Sequence, residues 1–173
     1  MQLLLGCGRS RKKKLALTGR EAWDGLVTVD INPDVGADVV HDLRDLPLPF
    51  ADNSASEIHL YDVLEHTRQQ GDWRGFFAEF TEFWRILRPG GHLFGMSPVW
   101  NREWAWGDPG HSRVIQPETL SYLSQRLYAE RLDGEIESNC TDYRHWWKGD
   151  FEAVHVHNHG AVFSFVLQAI KRP

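Results

Sequence analysis

The residues able to do chemistry in this chain begin close to its start. Gly6-Cys7-Gly8 directly follows the apolar run Leu3-Leu4-Leu5. A strand that runs into a Gly-x-Gly turn lets a ligand approach bare backbone at the carboxyl edge of a parallel sheet. The dinucleotide fingerprint needs a third glycine three residues on, and Arg11 stands there, so a nicotinamide or flavin dinucleotide is disfavoured. Asp30 lies 22 residues past Gly8, at the end of the next apolar run, Leu26-Val27-Thr28-Val29. An acid at that place accepts the hydroxyls of a ribose; the alternative is a turn aspartate ahead of Asn32-Pro33. Asp42-Leu43 follows a third run, Val39-Val40. Asp42 is placed to accept an adenine amino group, with Ile31 and Leu43 sandwiching the ring; the alternative is a loop acid. In this order the three features describe an adenosine site.

His66 and His111 are the candidate catalytic residues, because imidazole titrates near neutrality and can move a proton. Each can equally be a structural or surface histidine. Trp100, Trp104 and Trp106 crowd one segment, with His111 and Arg113 close behind. An aromatic wall with a few polar groups suits a planar or sugar-like acceptor; the alternative is that the tryptophans fill the core. His155, His157 and His159 alternate along an expected strand and so share a face. Positions i and i+4 of a strand lie about 13 Å apart, too far for three ligands to share one ion without a bend, and no metal site is assigned.

These residues need a frame. Leu3–Leu5, Leu26–Val29, Val39–Val40, Glu57–Tyr61 and His92–Met96 read as strands; unbroken apolar runs suit strands covered on both faces. Trp73, Phe76, Phe77, Phe80, Phe83, Trp84 and Leu87 recur at three- and four-residue steps, which predicts a helix over residues 73–87 with Asp72 as N-cap. Pro89-Gly90-Gly91 ends it. Pro117 opens a second helix, with Leu120, Leu123 and Leu127 on one side. Residues 151–157 and 161–170 read as an antiparallel hairpin. Between the first two strands only a short helix fits, with Thr18 and Glu21 as a capping box. Alternating strands and helices predict an α/β domain with a mainly parallel sheet.

Composition bounds the rest. The chain has 173 residues, 42% hydrophobic, with a net charge of −5, which suits one domain spanning residues 1–173. No run approaches the roughly 18 apolar residues of a membrane span. The basic run follows the apolar start instead of preceding it, so no signal peptide is read. Two cysteines make no disulfide framework, and a cytoplasmic location is expected. Arg9, Arg11, Lys12, Lys13 and Lys14 crowd into six positions, while the remainder is acidic. Such a run is a nucleic-acid patch or a solvated loop; the acidic whole favours the loop.

The ordered motifs resemble the class I S-adenosylmethionine-dependent methyltransferases, in particular the small type 11 group. The resemblance runs from Leu3 to about Val99. It includes Leu-Leu-Gly-Cys-Gly, Val-Asp-Ile-Asn-Pro, the stretch from Val39 to His66 with Leu64-Glu65-His66, and Leu87-Arg88-Pro89-Gly90-Gly91. Short phage or prophage proteins of this group look similar. The resemblance implies a Rossmann-like three-layer sandwich closed by a C-terminal antiparallel hairpin, here with a reduced helix layer on one side. It implies S-adenosylmethionine as cofactor. Gly6, Cys7 and Gly8 would face its methionine moiety; Asp30 would hold the ribose, with Ile31 beside the adenine and Asn32 also in the cofactor site. Asp42 and Leu43 would read the adenine edge. Tyr61, Asp62 and Val63 would border the methyl donor, with His66 near the opening. Two departures stand out. Leu4 and Leu5 occupy the place where family members commonly carry an acid before the first glycine, and the helix after the turn is truncated. In its place the Arg9–Lys14 run would close over the cofactor carboxylate.

Tyr61-Asp62-Val63-Leu64 is not the (Asp/Asn)-Pro-Pro-aromatic turn of amino-group DNA methyltransferases, and no Pro-Cys nucleophile follows the sheet. A small-molecule acceptor is therefore expected. The alternatives are a non-catalytic cofactor-binding module, or a nucleic-acid-binding protein using Arg9–Lys14.

Overall fold

Leu3, Leu4 and Leu5 are all buried, as an unbroken apolar strand covered on both faces must be. The computed structural model describes residues 1–134 and 140–172. Leu3–Leu5 belong to β1 (Gln2–Leu5), which is followed by β2 (Leu26–Asp30), β3 (Val39–Val40), β4 (Ala55–Tyr61) and β5 (Leu87–Pro98). These five strands pair in parallel. β6 (Phe151–Asn158) and β7 (Val162–Ala169) form the expected hairpin, and β7 inserts antiparallel beside β5. The seven-stranded order is β3-β2-β1-β4-β5-β7-β6. The order reverses between β1 and β4, which creates a crevice at the carboxyl ends of the strands. The fold is a Rossmann-like α/β sandwich.

Helices cover one face well. α1 (Leu64–Thr67) is a single turn that the sequence reading left out. α2 (Trp73–Ile86) buries Phe77, Phe80, Phe83 and Ile86, and the Asp72 carboxylate caps it by accepting the Gly75 amide at 2.9 Å. The fifth strand is longer than residues 92–96. It starts at Leu87 and takes in Pro89-Gly90-Gly91, where its pairing with β4 shifts register. α3 (Glu103–Gly107) follows the sheet. The expected helix from Pro117 is two helices, α4 (Pro117–Ser121) and α5 (Gln125–Leu132). Ser124 breaks the run because its hydroxyl accepts the Leu127 amide and starts a new helix.

The opposite face is thin. No helix forms between β1 and β2: Glu21 accepts the Gly19 amide at 2.9 Å in a tight turn instead of a capping box. A buried cation secures the loop. Lys13 Nζ lies 2.7 Å from the Glu57 carboxylate and donates to the carbonyls of Arg20 and Ala22. His59, fully buried, stacks on Phe94 at 4.3 Å. The basic run is thus only partly a solvated loop. Arg11 donates to the carbonyls of Gly8, Val35 and Gly36, and Lys14 pairs with Asp62 at 3.1 Å, while Arg9 and Lys12 stay exposed. Among the described residues, no helix is long and apolar enough to cross a membrane.

Candidate functional site

The carboxyl ends of β1 to β4 open onto one cleft of about 430 Å³. Gly6 lines it, at φ +61°. A Cβ there would lie 2.5 Å from Val63 Cγ2, so the turn after β1 and the turn after β4 touch only because residue 6 has no side chain. Gly8, at φ +52°, would carry a Cβ into open space. Its amide donates to Asp30 Oδ2 at 2.7 Å.

Asp30 is buried, and its other oxygen accepts the Asn32 amide at 2.9 Å. A carboxylate has about four acceptor positions, so two remain for a ligand. Asn32 itself points elsewhere: its side chain accepts the Asp34 amide and caps a short 3-10 turn. Ile31 lines the cleft and is 56% exposed, an unusual state for an isoleucine unless something covers it. Leu43 also lines the cleft, and is buried. Asp42 lies beside it, gripped by Arg44 through Nε and Nη2. That contact holds the Asp42 carboxyl below its usual range.

The end of β4 divides its three predicted residues. Asp62 and Val63 line the cleft, with Asp62 at φ +60°, a conformation that aspartate tolerates better than most residues. Tyr61 turns to the thin face. Its hydroxyl meets His59 Nδ1 at 2.6 Å and accepts the amides of Lys14 and Leu15, and burial pushes its pKa up to about 12. Cys7 turns the same way, packing with Leu4 and Tyr61; burial pushes its thiol up, which makes it inert. Alternation along β4 explains Tyr61; Cys7 lies past the end of β1, where the left-handed Gly6 breaks the alternation and brings it to the face of Leu4.

The predicted catalytic pair meets at the mouth. His66 is exposed on α1 and lines the cleft, and its ring centroid lies 4.5 Å from that of His111. Residues 112 and 113 fasten His111 there. Ser112 donates its amide to the Glu65 carbonyl at 2.9 Å. Arg113, expected at the acceptor, is instead inside the fold: it donates to the Leu64 carbonyl and Thr67 hydroxyl and pairs with the buried Glu79. Glu65 was not singled out from the sequence. It is buried, accepts from Ser97 Oγ at 3.0 Å, and leaves Oε1 without a donor. The preceding helix cap gave no sign that it faces inward.

The tryptophans are not core. Trp100, Trp104 and Trp106 are 55%, 72% and 69% exposed. Trp106 donates to the Trp100 carbonyl, and Trp100 lines a separate groove with Ile115, Glu118 and Asn158. Of the residues expected at the acceptor, only His111 stands against His66. The rings of His155, His157 and His159 follow one another, with centroids 5.9 Å and 4.2 Å apart, and His159, beyond the end of β6, also bonds Ser164 Oγ at 3.0 Å.

A methyltransferase-domain family model matches residues 3–95. Among curated proteins none matches the sequence. Solved structures share the fold at low identity. An S-adenosylmethionine-dependent methyltransferase from Archaeoglobus fulgidus is 18% identical, with 96% of this chain and 84% of that chain covered and a TM-score of 0.58. One from Methanosarcina mazei is 14% identical, with 98% and 92% covered and a TM-score of 0.55. The N-methyltransferase NodS from Bradyrhizobium japonicum, in complex with S-adenosyl-L-homocysteine, is 12% identical, with 98% and 78% covered and a TM-score of 0.52.

Proposed function

The chain belongs to the methyltransferase-domain family, and on that premise we propose that it transfers a methyl group from S-adenosylmethionine to a small-molecule acceptor. The observation that carries this reading is the convergence of Gly6, Asp30, Ile31, Leu43, Asp62 and Val63 on one cleft at the reversal of the strand order. The cleft fits the cofactor. Its volume falls in the range of small-molecule sites, about 300–1,000 Å³. Gly6 and Gly8 form a cradle without side chains, Asp30 has free acceptor positions, and the exposed Ile31 offers an uncovered apolar platform.

The roles follow from chemistry. Asp30 holds the ribose hydroxyls, and Ile31 and Leu43 hold the adenine between them. Asp42, kept ionised by Arg44, accepts from the adenine edge. The Gly6–Gly8 backbone and the Asp62-Val63 turn border the methionine half. Of the basic run, Arg11 and Lys13 are engaged within the fold, and Lys14 is the cation that its pairing with Asp62 brings to the cleft, where it meets the carboxylate.

The cofactor supplies a methyl already activated on a sulfonium. The chain's task is then to align the acceptor with it and keep water away. His66 and His111 stand where the acceptor enters, within reach of the proton it releases. The net charge of −5 and the internal ties of Arg11 and Lys13 favour a small molecule over nucleic acid.

Calorimetry with S-adenosylmethionine and S-adenosylhomocysteine tests the reading. One-site binding of both is expected, and no heat at millimolar ligand would overturn it.

A further inference from the structure

Glu65, His66 and His111 come together across 46 residues of sequence at the mouth of the cleft, and each offers a ligand atom within 4.8 Å of the others. We propose that these three side chains bind a divalent cation of the zinc type. The inference rests on the cleft reading above for its location, and it gives the two imidazoles a second use, as ligands.

Three observations point to an ion. Glu65 Oε1 is buried without a donor. A buried polar atom left unpaired is costly, and a bound ion relieves that cost. Glu65 Oε1 faces His111 Nε2 at 4.0 Å, too far for a hydrogen bond and suitable for a shared ion between them. The donor set of two imidazoles and one carboxylate is that of many catalytic zinc sites, which leave a fourth position open.

The geometry is nearly in place. Tetrahedral zinc, with bonds of about 2.0–2.2 Å, sets its ligands roughly 3.4 Å apart. The widest separation here must shrink by about 1.4 Å. His66 is exposed and free to make that rotation, while Glu65 and His111 are held by Ser97, Ser112 and the backbone of α1. Ser97 also acts as a second contact that orients the carboxylate. The open position would face the acceptor side, where a bound ion polarises a coordinated oxygen, nitrogen or sulfur.

Untagged protein, stripped with chelator and dialysed, is titrated with zinc sulfate alone against a chromophoric zinc competitor. One equivalent is expected to bind. His66→Ala, a substitution at an exposed site that spares folding, and His111→Ala should each weaken binding about tenfold or more. The double variant His155→Ala/His157→Ala should bind as the unaltered chain does. Cobalt(II) substitution should give d–d absorption of a four- or five-coordinate site, lost in His66→Ala. No binding, or binding lost in the His155/His157 variant and kept in His66→Ala, overturns the site. S-adenosylhomocysteine binding is measured on the same samples: if it persists while zinc fails, the metal site falls and the methyltransferase reading stands.

Discussion

The Asp30 carboxylate accepts the Gly8 amide at 2.7 Å, tying the turn after β1 to the end of β2. The 22-residue spacing between the two is therefore a direct bond as well as a placement over one cleft. Asp30→Ala removes a charged acceptor from a backbone donor and from the ribose at once. Affinity for S-adenosylhomocysteine is expected to fall tenfold or more, since hydrogen bonds to charged groups contribute about 1.5–3 kcal/mol. Asp30→Asn keeps one acceptor oxygen for Gly8 and should lie between. Calorimetry reads the affinity and a thermal melt reads the turn. Lower melting temperature with unchanged affinity would make Asp30 purely structural.

Gly6 and Gly8 share a left-handed backbone but differ in surroundings. Gly6→Ala sets a Cβ against Val63 and should cost about 1–3 kcal/mol for the overpacking on top of the left-handed backbone penalty of about 1–2 kcal/mol. Gly8→Ala meets no atom within 4 Å and should cost only the backbone penalty of about 1–2 kcal/mol, while weakening the cofactor. Adding Val63→Ala to Gly6→Ala should restore part of the loss. Urea unfolding decides; equal costs for the two alanines would show that Val63 does not set the constraint.

The strands, the mainly parallel sheet and its C-terminal hairpin were legible because their signals are local: apolar runs ended by turn residues. Tyr61 and Cys7 turn from the cleft because a motif marks a position in the chain only: the pleat of β4 decides the face of Tyr61, and the left-handed Gly6 turn that of Cys7. Arg113 was unreadable for a different reason. A charged residue among polar neighbours looks exposed, and only the tertiary fold shows Glu79 waiting for it. Glu65 hid in the same way, since burial of a lone acid leaves no sequence pattern. The loop over residues 9–25 defeated helix prediction because Lys13 fixes it from below, through contacts distant in sequence.

Arg113 and Glu79 form a pair whose side chains are 4% and 0% exposed. Breaking a buried pair strands one charge and costs about 3–5 kcal/mol. Arg113→Met should therefore destabilise the chain by that order in urea unfolding. It should also loosen α1, whose Leu64 carbonyl Arg113 holds at 2.6 Å. Replacing both partners, as Arg113→Met with Glu79→Leu, leaves no stranded charge and should recover much of the loss. A double variant no more stable than Arg113→Met would show that the cost comes from the contacts to Leu64 and Thr67.

The Lys13–Glu57–His59–Tyr61 chain beneath the thin face makes stability depend on pH. Burial holds the His59 imidazole below its ordinary value of 6.5, although Glu57 lies 2.9 Å away. Its partners set the tautomer: Nε2–H donates to Glu57, and Nδ1 accepts from Tyr61. Burial also works to raise the Glu57 carboxyl, but the bonds from His59 and Lys13 outweigh it and hold it below 4.5. Both groups bind protons more readily when unfolded. Stability is therefore full above about pH 6.5 and falls as the pH drops through that value toward the folded-state pKa of His59. Glu57 extends the loss below pH 4.5. His92, lowered by burial, adds the same sign, and Glu65, raised by burial, opposes it. A difference measurement isolates His59. Melting temperatures of the unaltered chain and of His59→Gln are compared at pH 7.5, 6.5, 5.5 and 5. The variant should start lower and decline less, so the two curves converge on acidification. Parallel curves would mean that His59 takes up its proton equally in both states, and that the network is not the source of the acid sensitivity.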